Sequence, residues 1–548
     1  MRSKIKLLRF LLVILILGTT IAWATETTWR HPGFEVTGFD INMSKNSVTN
    51  AANYTTFQGR HLENGGCDAS YCIRFNLTNS SIIEAINGST GDKDYSGTNA
   101  TVVMQGVQSS LGSVYNKRTV KMIGNFTLSL NLVGNQILDL QEAYLTAQNP
   151  VNGYLIETYN SSIDIIGGTL DGNRGELYTG GGGQLNGSVV YIHGLTASDI
   201  PSSVNMRGII ITGGVNRGVL IRNLKNSLFE NLNITNNGRG GLDPAVMSGA
   251  PGAAWFTDNI FKNIILNNNM DSGVSPGIST NVVYDGITAL NTIQNPASPN
   301  NHANGISLDR GNNITISNCN IRDNSGYGIE MFKAAGDNIQ GNKIVNCYSR
   351  NNSLGGYQIS NSNNTIITGS TSTDEVINLR LNGNRNDIVV SNNLFLNARN
   401  ESIYIRDTGN NGYNYKITGN TIKNWNTSGL LGNYGGINIT KFIRNVTISD
   451  NAVTAGSSND VFVFVESGAT VPPIVSIYDN NLYKVSTLVV GMAISKNNYG
   501  FAPFNFGNNA SAPTAWGAGD IYFNSTTMFP CWRNSTSWNR YNDSVGGC

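Results

Sequence analysis

Between about residue 160 and residue 485 the chain repeats one short unit: an apolar residue, a spacer, then Asn, Asp or Gly. Copies read Phe229-Glu230-Asn231, Ile316-Ser317-Asn318, Ile344-Val345-Asn346, Ile367-Thr368-Gly369, Val390-Ser391-Asn392, Ile417-Thr418-Gly419, Ile448-Ser449-Asp450 and Ile477-Tyr478-Asp479. From Asn318 onward the turn residue recurs at spacings of 28, 23, 23, 27, 31 and 29, and Asn263 and Asp285 extend the series upstream. A second ladder precedes each turn, as in Gly305-Ile306-Ser307-Leu308-Asp309, Gly328-Ile329-Glu330-Met331-Phe332 and Gly436-Ile437-Asn438-Ile439-Thr440. Its alternate residues are apolar, so each copy is a strand with one buried and one wet face. A strand this short buries its apolar face by stacking on the next copy, which predicts a solenoid of parallel coils about 4.8 Å apart. Propeller blades run to about 40 residues and are too long for these spacings. Asn suits the corners, because it tolerates the left-handed conformation and pairs amide to amide when stacked.

Composition agrees with the repeat. Charged residues make up 13% of the chain, about half the usual share, so long charged helices and coiled coils are excluded. Hydrophobic residues at 39% are enough to build a core, which excludes a disordered chain. A net charge of +1 gives no reason to expect nucleic acid or an anionic membrane surface as partner. Arg2, Lys4, Lys6 and Arg9, the apolar run Phe10 to Leu17, and Ala22-Trp23-Ala24 follow the order of a secretory signal peptide over residues 1–24. The alternative is an uncleaved anchor. Export places the six cysteines in an oxidising compartment. Cys319 and Cys347 each follow a turn residue on adjacent coils, which brings them to about 5 Å, either as a disulfide or as stacked buried thiols. The chain has 21 Asn-x-Ser/Thr sequons, in keeping with an exposed, glycosylated surface where the host modifies Asn.

Three segments add a resemblance to this repeat. They are Ile82-Ile83-Glu84-Ala85-Ile86, Val120 to Phe126 followed by Leu138-Asp139-Leu140, and Ile163 to Gly172 with its Gly-Gly-Thr-Leu-Asp-Gly ending. With them the chain resembles the pectate-lyase-like superfamily of right-handed parallel β-helices, which includes polygalacturonase-type hydrolases, alginate epimerases and phage tailspikes. The resemblance implies an all-β solenoid in which Ile82 to Ile86 form a short N-terminal capping helix. The expected organisation is a 1–24 signal peptide, a 25–75 extension, a 76–495 β-helix and a 496–548 C-terminal β-hairpin module. That module contains Tyr522, Trp532, Trp538 and Tyr541, either as its own small core or as sugar-stacking rings. Asp171-Gly172 is read as a capping turn rather than a catalytic pair. The resemblance implies secretion or surface display and a polysaccharide or surface glycan as partner. Such β-helices often trimerise, but the sequence leaves the oligomeric state open, and no cofactor is expected. No Gly-His-Gly, Arg-Ile-Lys or strand-borne Asp-Asp is present, so polygalacturonase-type catalysis is not expected.

A β-helix binds long ligands along an outer face. Aligned by the glycine slot, the second outward position reads Leu220, Ser275, Ser307, Glu330, Gln358, Asn378, Tyr404 and Asn438. The fourth reads Arg222, Gly277, Asp309, Phe332, Ser360, Arg380, Arg406 and Thr440. Asp309 and Glu330 fall on adjacent coils offset by two residues, so their Cα atoms should lie about 8 Å apart. That offset suits the carboxyl separation of about 6.5–9.5 Å used in inverting glycoside hydrolysis. Lys333 or Arg310 would instead serve uronate β-elimination. Asp271, His302, Tyr404, Arg380 and Arg406 are candidate substrate contacts. Asp309 and Glu330 offer oxygen ligands, but no acidic cluster indicates calcium. The two function classes are a secreted lyase or hydrolase of uronate-containing glycans and a non-catalytic surface or adhesion protein.

Overall fold

The computed structural model describes residues 67–500 apart from short internal segments, together with the backbone of 521–524, 529–533 and 538–540. The expected signal peptide, His302, Lys333 and Tyr541 lie outside the described residues. No helix among the described residues is long and apolar enough to cross a membrane.

The chain winds into a parallel β-helix. Two columns of short strands, joined through the long strand Gln136–Ala147, form a 31-stranded sheet. A separate 14-stranded sheet faces them and runs in coil order from Leu130–Asn131 to Thr487–Val490. Pairing is parallel and in register from coil to coil, as where Ile316 stacks on Ile344, Ile344 on Ile367 and Ile367 on Val390. These inward residues are buried, and each contributes about 1.5–3 kcal/mol through removal from water. Aromatic residues stack the same way. The rings of Phe229, Phe261 and Tyr284 lie 4.9 and 5.0 Å apart in sequence along the axis.

The corners explain the asparagine content. Asn231, Asn263, Asn318, Asn346, Gly369, Asn392, Gly419, Asp450 and Asp479 all adopt positive φ, the left-handed region that Asn, Asp and Gly enter at least cost. One upstream assignment is corrected. Gly286, at φ 69°, takes the corner predicted for Asp285, which ends the strand Val283–Asp285. The next position inward forms a buried ladder: Asn393, Asn420, Asn451 and Asn480 each pass an amide hydrogen to the side-chain oxygen of the next, ending at Asn498. Cys319 and Cys347 precede this ladder in the same column and form a disulfide with Cα atoms 4.4 Å apart. Cys67 and Cys72 form a second disulfide.

The expected capping helix is also corrected. Ile83–Asn87 is a strand, antiparallel to Tyr71–Phe75 on one side and to Lys93–Gly97 on the other, because its β-branched residues end at an Asn-Gly turn and suit a sheet. The helix is Ala100–Leu111, which buries Ala100, Val103, Met104, Val107, Gln108 and Leu111 at helical spacing. Asn99 caps it by accepting the Thr101 backbone N–H at 2.9 Å. Near the C-terminus, Ile521–Asn524, Phe529–Arg533 and Trp538–Arg540 form a three-stranded antiparallel sheet.

Candidate functional site

The outward face of the 14-stranded sheet contains a cleft of about 500 Å³, lined by residues that include Arg217, Arg239, Asp243, Asp271, Asp309, Glu330 and Phe332. Coil stacking brings together residues far apart in sequence. Leu220 stacks on Asp243, Ser307 on Glu330, Glu330 on Gln358, Gln358 on Arg380, Arg380 on Tyr404 and Tyr404 on Asn438. Asp309 stacks on Phe332, which places it one coil before Glu330 and two residues along.

Of the sequence-predicted residues, Asp271, Asp309 and Glu330 share the cleft. Arg310 sits at its edge and pairs with Asp309 at 3.3 Å. Arg380 lies in a different column from the one predicted. It stacks between Gln358 and Tyr404, two residues out of the expected register, and Asn382 takes the place beside Arg406. The coil between Ser360 and Ile403 has no glycine to mark its start, which allowed the slip. The outward face is also drier than predicted, with Asp271 and Glu330 only 7% and 8% exposed.

Glu330 is held from both neighbouring coils. Asn304 Nδ2 donates to its Oε2 at 2.6 Å, and Gln358 Nε2 donates to its Oε1 at 2.7 Å. The Asn304 amide is itself oriented, because its Oδ1 accepts the Tyr327 backbone N–H at 2.7 Å.

Asp243, Arg217 and Arg239 were not anticipated. Their strand, Leu242–Ala245, contains Pro244, which hides the strand pattern; the glycine at Gly241, 23 residues after Gly218, was the signal available. Asp243 pairs with Arg217 and, at 3.2 Å, with Arg222. Burial works against its charge, but the two guanidiniums outweigh it and hold its carboxyl below the usual range. Burial in turn pulls the Arg217 guanidinium down, opposed by Asp243. Arg239 donates to Asp271 at 3.1 Å. Phe332, 48% exposed, presents an apolar ring at the rim. Among the described residues no cluster of three His, Cys, Asp or Glu side chains is placed to hold a metal ion.

A family model described as "Right handed beta helix region" matches residues 288–440. No curated protein sequence matches the chain. Solved structures that resemble it include the Dettilon tailspike protein gp208, at 13% identity and a TM-score of 0.43, covering 66% of each chain. The A-module of mannuronan C-5 epimerase AlgE6 from Azotobacter vinelandii is 12% identical with a TM-score of 0.42, covering 74% of this chain and 94% of that one. PfbA, a surface adhesin of Streptococcus pneumoniae, is 12% identical with a TM-score of 0.39, covering 80% and 95%. The chain thus spans just under two thirds of the tailspike's length, 66%. Likeness of this degree assigns no activity.

Proposed function

Since this chain is a right-handed parallel β-helix protein, we propose that it is a secreted or surface-displayed glycan-active protein whose cleft hydrolyses glycosidic bonds with Glu330 and Asp309. The observation that carries this reading is the meeting of Asp309, Glu330, Asp271 and Asp243 with the exposed Phe332 ring in one cleft. Sugar rings bind through an apolar face and a polar edge, and glycoside hydrolysis needs two carboxyl groups in different protonation states. Glu330, held by its two amide donors, and Asp309 divide the roles of base and acid. The base takes a proton from water as the water oxygen bonds to the anomeric carbon. The acid donates a proton to the departing glycosidic oxygen as its bond to that carbon breaks. Exchange with solvent then resets both groups.

Hydrolysis fits better than β-elimination of uronates. β-Elimination needs a free cation against the sugar carboxylate at the cleavage point. Among the described residues the cleft lining has four carboxylates and two guanidiniums, and Arg217 and Arg239 are engaged by Asp243 and Asp271. The two disulfides support an oxidising, extracellular setting.

A second reading, a non-catalytic glycan-binding surface protein, is favoured by the arginine partners of Asp243, Asp271 and Asp309, which suit a rigid binding surface. A depolymerisation screen over neutral, uronate and sulfated glycans separates the readings. Hydrolysis releases new reducing ends with no unsaturated product. Glu330→Gln and Asp309→Asn should each lower the rate at least a hundredfold. Binding without turnover by the wild type would overturn the hydrolase reading and leave the second.

A further inference from the structure

The arginines at the cleft are matched by carboxylates: Arg217 and Arg222 by Asp243, Arg239 by Asp271, and Arg310 by Asp309. Further along the same face the pattern changes. Arg380 lies two coils beyond Glu330 in the same column, about 10 Å along the axis. Its Nη1 donates to the Tyr327 hydroxyl at 2.9 Å, and its guanidinium lies 5.8 Å from the centroid of the Tyr404 ring. No described carboxylate lies within ion-pair distance of it, and its Nε has no hydrogen-bond partner among the described residues. The neighbouring Gln358, 7% exposed, donates to Glu330 and leaves its Oε1 likewise unmatched.

Arg406 stands on the next coil, two residues on from Tyr404 and on the same side of the strand Ile403–Arg406. It is exposed, again with no described carboxylate in ion-pair distance. Its charge is felt at the Tyr404 hydroxyl, alongside those of Glu401 and Glu466. Glu401 is the acid nearest Arg380 in effect, but it is buried and held by Asn438 at 3.2 Å. Burial pushes its carboxyl up, opposed by its hydrogen bonds and by the charge of Arg380. A ring with one guanidinium against it and a second arginine two residues along the same strand face, with Arg380 donors unspent on the protein, matches a sugar that bears a negative group.

We propose that Arg380, Arg406 and Tyr404 form an anion subsite that binds a carboxylate or sulfate on a glycan running along the helix axis, two coils from Glu330. This rests on the cleft being a glycan site. It makes the substrate an acidic polysaccharide whose charged residue sits beyond the bond that is broken. One coil rises about 4.8 Å, close to one sugar residue.

The test uses the full chain in a Glu330→Gln background, with polygalacturonate, chondroitin sulfate, desulfated chondroitin and a neutral galactan as probes. Arg380→Gln with Arg406→Gln is expected to weaken binding of the charged glycans by at least tenfold and that of the neutral glycan by less than twofold. It should also flatten the salt dependence. Arg380→Lys should retain binding within about threefold, which guards against a folding defect. Stronger binding of chondroitin sulfate than of its desulfated form identifies sulfate as the group, and the reverse order identifies carboxylate. Equal binding of charged and neutral glycans, equal loss of both in the arginine variant, or no binding to any probe overturns the subsite. Binding that depends on the arginines, with no turnover by the wild type, leaves the subsite standing and sinks only the hydrolase reading.

Discussion

Replacing Asn420 with alanine is expected to destabilise the C-terminal coils by about 3–6 kcal/mol. Asn420 is fully buried and sits in the middle of the asparagine ladder. Its Oδ1 accepts both the backbone N–H and the Nδ2 of Asn393 at 3.0 Å. Its Nδ2 donates to the Val390 carbonyl and to Asn451 Oδ1, each at 3.0 Å. Alanine leaves two donors and one carbonyl without partners in a dry corner, at about 1–3 kcal/mol each. A water entering the vacated space recovers part of that loss, which sets the range. Asn424→Ala is the control. Asn424 is exposed at φ 54° and donates to Asn397 at 3.1 Å, so alanine there costs about 1 kcal/mol, mainly for the left-handed backbone. The assay is equilibrium urea denaturation followed by tryptophan fluorescence. Trp425, 1% exposed, reports these coils directly, which matters because a solenoid need not unfold as one unit. If the midpoint of Asn420→Ala moves no further than that of Asn424→Ala, the ladder does not stabilise the fold and the account of the asparagine content fails.

Glu375 is fully buried and accepts from Asn352 N, Asn352 Nδ2 and Ser349 Oγ at 2.7, 2.9 and 2.8 Å; burial still pushes its carboxyl from 4.5 to about 7. The folded state therefore binds a proton that the unfolded chain has lost. Stability falls as pH rises from about 4.5 through about 7, by about 3 kcal/mol, and Glu375→Gln should flatten that slope in urea midpoints taken at pH 5 and pH 8. The Cys319–Cys347 bridge spans 28 residues, so Cys319→Ala with Cys347→Ala should cost about 3.5 kcal/mol, and added reductant should then move the double variant's midpoint less than it moves the wild type's. Gly328 is the second residue of the strand Tyr327–Phe332 that bears Glu330, and a methyl there would meet Ser349 Oγ at 2.5 Å and the Gly356 carbonyl oxygen at 2.6 Å. Gly328→Ala should cost about 1–3 kcal/mol and lower glycan binding with it; unchanged thermal unfolding would show that the coil has room to spare.

Much of the coil was legible because its rules are local. A left-handed corner accepts few residue types, and an inward position must be apolar, so Ile316, Asn318 and their repeats mark the winding wherever they occur. Local rules failed where two structures share a pattern. Ile82 to Ile86 is short, apolar and bounded by polar residues, which fits a strand or a turn of helix equally; pairing with Tyr71–Phe75 decided it. The helix Ala100–Leu111 shows the helical spacing that the earlier segment lacks.

The candidate site divides along the same line. Sequence alone determined that Ser307, Asp309, Glu330 and Phe332 face outward on neighbouring coils, because side chains alternate along a strand and equivalent positions stack. It could not place Asp243, 87 residues from Glu330, in the same cleft, nor put Arg380 under Tyr404 rather than beside Arg406. Those depend on how many residues each loop takes up between coils, and loop length is nearly free of energetic constraint, whereas the stacking it leads to is not. Tertiary structure alone also set which charges are paired. An arginine in a sequence has no visible partner, and only the registered coils show Arg217, Arg222, Arg239 and Arg310 each answered by a carboxylate, with the guanidinium of Arg380 set against a tyrosine ring instead.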